Sequence, residues 1–158
     1  MRAIYTFPNP ILRVVSKDVV EINDEVKALA YEMHEVMNAK DGIGLAAIQV
    51  GENYNVITLN IEEPLTLVNP KITEKGGSIR MEEGCLSLPK FKDTIERSSK
   101  VTVSYFDLDG EKCNIEMYHL YAVCLQHEMD HLYGVLLLDY STNLKRSMYE
   151  KRARKRGF

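Results

Sequence analysis

Two histidines at positions 127 and 131, in the run His-Glu-Met-Asp-His, tie this chain to a specific local structure. Residues four apart share one face of an α-helix, so both imidazoles can reach a single metal ion if the segment is helical. Glu128, next to the first histidine, then sits beside the position that a catalytic metal keeps open, where it can act as general base. The competing reading is a surface helix whose histidines are ordinary polar groups.

A catalytic site of this kind needs three protein ligands and an open fourth position. The longer pattern HExxHxxGxxH is followed as far as Gly134 and then fails, because Leu137 stands where a third histidine belongs. Glu150 follows His131 at a distance compatible with a site completed by a glutamate on a later helix. Cys124 shares the helix face with both histidines, but the metal would lie near residue 129, about 7 Å further along the axis and beyond a thiol's reach. Cys124 reads better as a wall behind the site or as an inert core thiol. Cys113 lies in a polar, strand-like stretch with nothing to recommend it. Cys85 lies in Glu83-Gly84-Cys85-Leu86-Ser87-Leu88-Pro89, where a glycine lets the backbone approach closely and a proline ends any regular element. Such a loop or strand end can deliver a ligand and leave backbone N–H groups available. Cys85 and Glu150 both stand as third ligand at this point.

Residues 42–49 read Gly-Ile-Gly-Leu-Ala-Ala-Ile-Gln, small residues around one polar side chain. Two glycines alone do not make a phosphate-binding turn. There is no third glycine, no lysine and no preceding apolar strand, and the segment before it looks helical. Gln49 reads either as a satisfied buried amide or as an amide offered to a developing oxyanion.

Together, GIGLAAIQ at 42–49, EGCLS at 83–87 and HEMDH at 127–131 resemble the three motifs of the peptide deformylase family, GxGLAAxQ, EGCLS and HExxH, in order and in spacing. The stretch from Pro8 to Arg13, PNPILR, is similar to the family's usual opening, so the resemblance covers essentially the whole chain. It implies a metal-dependent hydrolase that removes the N-formyl group from the N-terminal formylmethionine of newly made polypeptides, releasing formate. Cys85, His127 and His131 would bind the metal, with Cys85 as a thiolate. The fourth position would hold a water whose pKa falls to roughly 7. Glu128 would take its proton during attack on the formyl carbon and hand it to the leaving amine. The Gln49 amide and the Leu86 backbone N–H would help the metal hold the oxyanion.

By motif position, Ile43, Glu83, Leu120, Val123 and Cys124 would line the pocket for the methionine side chain. Ile43 and Gly44 would meet the peptide backbone in strand-like pairing. From the sequence alone, Leu120 and Val123 are ordinary core residues of an amphipathic helix. Arg97 and Asp130 read either as partners behind the ligands or as an exposed pair. Two histidines and a thiolate would ordinarily suggest zinc. The resemblance implies ferrous iron in the cell, with nickel and cobalt able to substitute; zinc stays the alternative that the ligand set itself suggests.

The 158 residues suit one catalytic domain, 1–158, and 45% hydrophobic residues is ordinary for a globular chain. A net charge of −3 gives no whole-chain argument for nucleic acid, and no sequence-specific binding to it is expected. Three cysteines without framework spacing fit a reducing compartment. MRAIYTFPNP carries no apolar or arginine-rich presequence, and no stretch is long enough to span a bilayer, so a cytoplasmic location is expected.

Asn23 and Asp24 look like N-cap candidates before Val26, Leu29, Ala30, Met33 and Met37, an amphipathic helix ending before Gly42. Strand-like runs follow at 54–59 and 65–69, then an alternating strand over 100–107. Asp109-Gly110 turns it into a partner at 111–117. The metal helix is expected from about 119 to 132, with Gly134 as its stop. The sum is an α+β fold: short antiparallel sheets packed around a central metal-binding helix, with an N-terminal and a C-terminal helix.

Residues 142–158 are expected to form a basic C-terminal helix. From 145 onward seven lysines and arginines stand against Glu150, a local charge of +6 that leaves −9 on the rest of the chain. A basic tail on an acidic body reads as a docking element for a polyanion or as a solvated terminal helix. The resemblance implies docking on the ribosome near the exit tunnel. Two rivals stay open: a metallopeptidase completed by Glu150, and a non-enzymatic module whose metal is structural.

Overall fold

The computed structural model describes residues 1–156. A short 3-10 turn, Pro10–Arg13, opens the chain, with Asn9 accepting from the Ile11 N–H. Helix α1, Asp24–Ala39, follows; the Asn23 side chain caps it by accepting from the Val26 N–H. Strands β1 (Gly44–Ala46), β2 (Val56–Asn60) and β3 (Pro64–Gly76) come next, then β4 (Ile79–Cys85), β5 (Leu88–Arg97), β6 (Lys100–Phe106) and β7 (Lys112–Tyr118). Helix α2, Leu120–Leu132, and helix α3, Asn143–Arg156, complete it, with a 3-10 turn at Leu137–Tyr140 between them. The expected C-terminal helix extends two residues further; residues 157–158 lie outside the described residues.

All pairings are antiparallel. Five strands form one sheet in the order β1-β2-β3-β6-β7, and β4 and β5 form a separate hairpin. Helix α1 covers one face of β1 and β2, burying Leu29, Met33 and Met37 against Leu45, Val56 and Val68. The opposite face packs on α2, where Ile57, Leu59, Val101 and Val103 meet Ala122, Leu125, Met129 and Leu132. Strand β2 is thus covered on both sides, which is why Val56, Ile57, Thr58 and Leu59 are all buried rather than alternating.

Nothing of this kind spares α2 a polar face. Every residue from Ala122 to Met129 is buried, including Gln126, His127 and Glu128. A third cluster holds the β4–β5 hairpin against α3: Leu88, Phe91 and Ile95 pack with Phe7, Leu136, Tyr149 and Ala153. The helix carrying HEMDH therefore sits at the centre, between the large sheet and the hairpin carrying EGCLS. It ends as its sequence requires, with Tyr133 as cap and Gly134 at φ 72°.

Candidate active site

His127 and His131 lie one turn apart on α2 with their ring centroids 5.2 Å apart. Cys85 is brought to them by the end of β4, where the hairpin register shifts between Gly84 and Cys85. Its Sγ lies 3.3 Å from His131 Nε2. Among the described residues these three form the group of histidine, cysteine and acidic side chains able to hold a metal ion, their ligand atoms all within 4.8 Å of one another. Glu150 and Cys124 stand outside that group. One sulfur and two imidazole nitrogens, gathered this closely in a mostly buried setting, fit a single divalent ion of the first transition row.

The carboxylate of Glu128 is folded back against β1. A Cβ at Gly44 would lie 2.6 Å from Glu128 Oε2, so the glycine is what lets the carboxylate in. Its other oxygen, Oε1, is buried without a hydrogen-bond partner in the protein. Burial pushes the Glu128 carboxyl up to about 7, near the value suited to accepting a proton at neutral pH. A bound cation would oppose that rise.

Gln49 lies in the 3-10 turn Ala47–Val50, held at both ends of its amide. Its Oε1 accepts from the Ala46 N–H at 2.9 Å and its Nε2 donates to Ser87 Oγ at 3.0 Å. The same nitrogen lies 3.8 Å from Cys85 Sγ, so the amide N–H side faces the ligand group. The N-terminal arm runs alongside both motifs, with Tyr5 N–H donating to Gln49 O and Phe7 N–H to Ser87 O, each at 2.8 Å.

Behind the ligands, His127 Nδ1 meets Glu83 Oε1 at 2.9 Å; a carboxylate only accepts, so the imidazole donates and its Nε2 is free for a metal. Arg97 donates to both Glu83 oxygens, at 2.7 and 3.1 Å. Burial alone would raise the Glu83 carboxyl, but the hydrogen bonds from His127 and Arg97 outweigh it and hold the pKa below the ordinary carboxylate range. The Arg97–Asp130 pair is not an exposed one: Arg97 is 8% exposed.

A cleft of about 540 Å³ opens over this centre. Ile43, Gly44, Glu83, Leu120, Val123 and Cys124, the six residues read as substrate-binding, all line it, together with Gln49, Leu86, Cys85, His127 and Glu128. Cys124 is a buried thiol in its wall, pushed up to about 12 chiefly by desolvation and so kept protonated. Glu83 has a place in the wall, but its carboxylate is committed to His127 and Arg97. A larger cavity of about 820 Å³ lies elsewhere, reaching Arg97, Gln126, Asp130 and Tyr140, and touches none of the three ligands.

In the sequence alone Ser87 has no task, and nothing pairs Glu83 with His127. No periodicity could have supplied either link, because each joins segments 38 or more residues apart.

An α+β frame that buries a Cys-His-His group, with an unpartnered glutamate beside it and an apolar-walled cleft above, defines a metal-dependent hydrolase of the HExxH kind. Residues 1–147 match the sequence model of the family described as polypeptide deformylase. A peptide deformylase of Maricaulis maris is 41% identical over 98% of this chain and 93% of its own length. One from Nitrosococcus oceani is 41% identical over 97% of this chain and 94% of its own. The crystal structure of the Legionella pneumophila peptide deformylase superposes with a TM-score of 0.94 at 36% identity, over 99% of this chain and 95% of that one. An Ehrlichia chaffeensis peptide deformylase in complex with actinonin gives 0.95 at 34% identity, over 99% and 97%. The chain belongs to the peptide deformylase family, and it is a hydrolase that removes the N-formyl group from formylated peptides.

Proposed function

We propose that Cys85, His127 and His131 hold one divalent ion, ferrous iron in the cell, with nickel or cobalt able to substitute and zinc as the alternative occupant. The observation that carries this reading is the gathering of the three ligand atoms within 4.8 Å, with Cys85 and His127 lining the cleft. Held there, such an ion would supply Lewis-acid chemistry, making water easier to deprotonate and polarising the formyl oxygen. Glu128, its Oε1 buried and without a protein partner, takes the proton of the attacking water and delivers it to the leaving amine. The Gln49 amide, fixed by Ala46 and Ser87, and the Leu86 backbone N–H stabilise the oxyanion on the formyl carbon.

The methionine side chain enters between Ile43, Leu120, Val123 and Cys124, with Glu83 behind them. The substrate backbone pairs with Ile43 and Gly44 as an added strand. In support, β1 is the edge strand of its sheet and these two residues border the cleft. The domain is one unit, 1–158, acting in the cytoplasm on N-formylmethionyl chains, with the basic C-terminal helix docking on the ribosome. No described helix is long and apolar enough to cross a membrane.

Formate release from a formyl-Met tripeptide, set beside its acetyl and unblocked analogues, tests the reaction. Glu128→Ala should keep the metal and lose nearly all turnover, and Cys85→Ala should lose the metal. Glu150→Ala should keep both. Metal loss in the Glu150 variant alone would transfer the third-ligand role away from Cys85.

A further inference from the structure

Glu83 and His127 are buried, yet the chain of bonds that begins with them continues to the far side of the helix. Arg97, at the end of β5, grips both oxygens of Glu83 and turns its third nitrogen to Asp130 Oδ2 at 3.0 Å. Tyr140, from the 3-10 turn after α2, donates its hydroxyl to the same Asp130 oxygen at 2.8 Å. The guanidinium also lies 5.1 Å from the centroid of the Tyr140 ring. The side chains of Arg97 and Glu83 are 5% and 6% exposed, and that of Asp130 is 22%. Asp130 and Tyr140 border the second cavity, whose lining shares no residue with that of the substrate cleft.

A buried arginine–carboxylate pair is costly to desolvate, and an apolar pair of similar volume would often be as stable. Its geometry here does something an apolar pair could not. The flat, two-pronged grip leaves Glu83 one rotational setting, and that setting aims Oε1 at His127 Nδ1. Asp130 and Tyr140 fix the guanidinium in turn, one by charge and one by a hydroxyl and a ring face. Four segments of the chain (β4, β5, α2 and the 3-10 turn) thus converge on the orientation of one imidazole.

We infer that Arg97, Asp130 and Tyr140 are positioning residues for the reaction, acting through Glu83 to fix the His127 ring as a metal ligand. The inference rests on the reading of Cys85, His127 and His131 as the metal site. Groups that orient a ligating histidine typically change metal affinity or activity by about 10- to 100-fold when altered. That range is expected for Arg97, with smaller effects in the same direction at Asp130 and Tyr140, which act one step further from His127.

The test uses cobalt-loaded protein. Its readouts are the cobalt dissociation constant by chelator competition, the visible absorption envelope of the ion, and kcat and KM on a formyl-Met tripeptide. Arg97→Gln should weaken cobalt binding by about 10- to 100-fold, move the absorption envelope and lower kcat with KM nearly unchanged. Arg97→Lys should not rescue it, because an ammonium cannot make the paired contact. Asp130→Asn and Tyr140→Phe should act in the same direction and more weakly. They carry the test if the Arg97 variants fail to fold. In a Glu83→Gln background, Asp130→Asn should add nothing further.

Wild-type affinity and spectrum in both Asp130→Asn and Tyr140→Phe, with only a lower Tm, would overturn the inference and leave the metal site intact. Additive losses in the double variant would overturn the route through Glu83. Failure of the wild-type protein to bind cobalt would instead overturn the metal site itself.

Discussion

Gly44 lacks a side chain at the one place where the Glu128 carboxylate needs the room. A methyl group there would lie 2.6 Å from Oε2 and 3.1 Å from the carboxylate carbon. The contact is with the end of a flexible side chain, so the fold can yield, and what yields is the proposed general base. Gly44→Ala should therefore fold and keep its metal, while kcat falls by about 100-fold, the usual cost of misplacing a catalytic group by an ångström. Metal content and kcat measured on the same preparation decide it; near-normal kcat would mean that Glu128 has slack. Gln49 is held more firmly, through Ala46 and Ser87. Loss of one oxyanion donor costs about 3–4 kcal/mol of transition-state stabilisation, so Gln49→Leu should lower kcat by about 100- to 1,000-fold and leave KM close to wild type.

At the scale of elements, the end of α2 is fastened to the start of the chain. Gly134 sits at φ 72°, and a Cβ there would lie 2.6 Å from the backbone oxygen of Arg13, with Arg13 C at 2.9 Å. Backbone cannot swing aside as a carboxylate can. Arg13 also reaches Gly134 O at 3.0 Å and grips both oxygens of Asp139. Gly134→Ala should destabilise by about 2 kcal/mol or more, lowering Tm by roughly 4–8 °C for a chain of this size. An unchanged Tm in thermal unfolding would refute the joint. Helix α1 supplies a pH-dependent element: His34 Nε2 lies 2.9 Å from Thr66 Oγ1 on β3, and burial lowers the His34 pKa below its ordinary value near 6.5. The folded state disfavours the charged ring, so stability is complete above that ordinary value and declines as pH falls through it. His34→Gln should remove this part of the decline when unfolding is compared at pH 7 and pH 5. These elements were unequally legible in the sequence. Asn23, Asp109-Gly110 and Gly134 announced the ends of α1, the β6–β7 turn and α2 through local chemistry alone. The strand β1 was not readable, because Gly-Leu-Ala is too short for a period and follows a helix. The β4–β5 hairpin was hidden for a different reason: its sequence is rich in charge, and one buried position is Arg97, whose partners lie on other segments. The Cys85-His127-His131 cluster was legible because the motifs carry its members; the bonds behind it are tertiary and leave no local trace.

The molecule as a whole makes α3 serve two purposes on opposite faces. Inward, Tyr149 and Ala153 are buried in the cluster that holds the β4–β5 hairpin, and the Tyr149 hydroxyl donates to Pro89 O at 2.9 Å. The Tyr149 ring also meets Phe91 edge-on at 5.0 Å. Outward, Leu144 is 70% and Met148 63% exposed, on a helix whose Lys151 and Lys155 are also exposed. Removing the tail would therefore disturb the hairpin whose first strand ends at Cys85, and lost activity after deletion would say nothing about docking. Charge reversal separates the two faces. Lys151→Glu with Lys155→Glu takes residues 145–158 from +6 to +2 without touching the buried side. Formate release from a tripeptide should be unchanged, because neither lysine lines the cleft. Association with ribosomes should weaken by at least about tenfold at low ionic strength, and the difference should shrink as added salt shortens the screening length. Equal ribosome binding by the reversed and wild-type proteins would remove the proposed contact and leave α3 with its inward role alone. Loss of tripeptide turnover would show that the outward charges also support the hairpin.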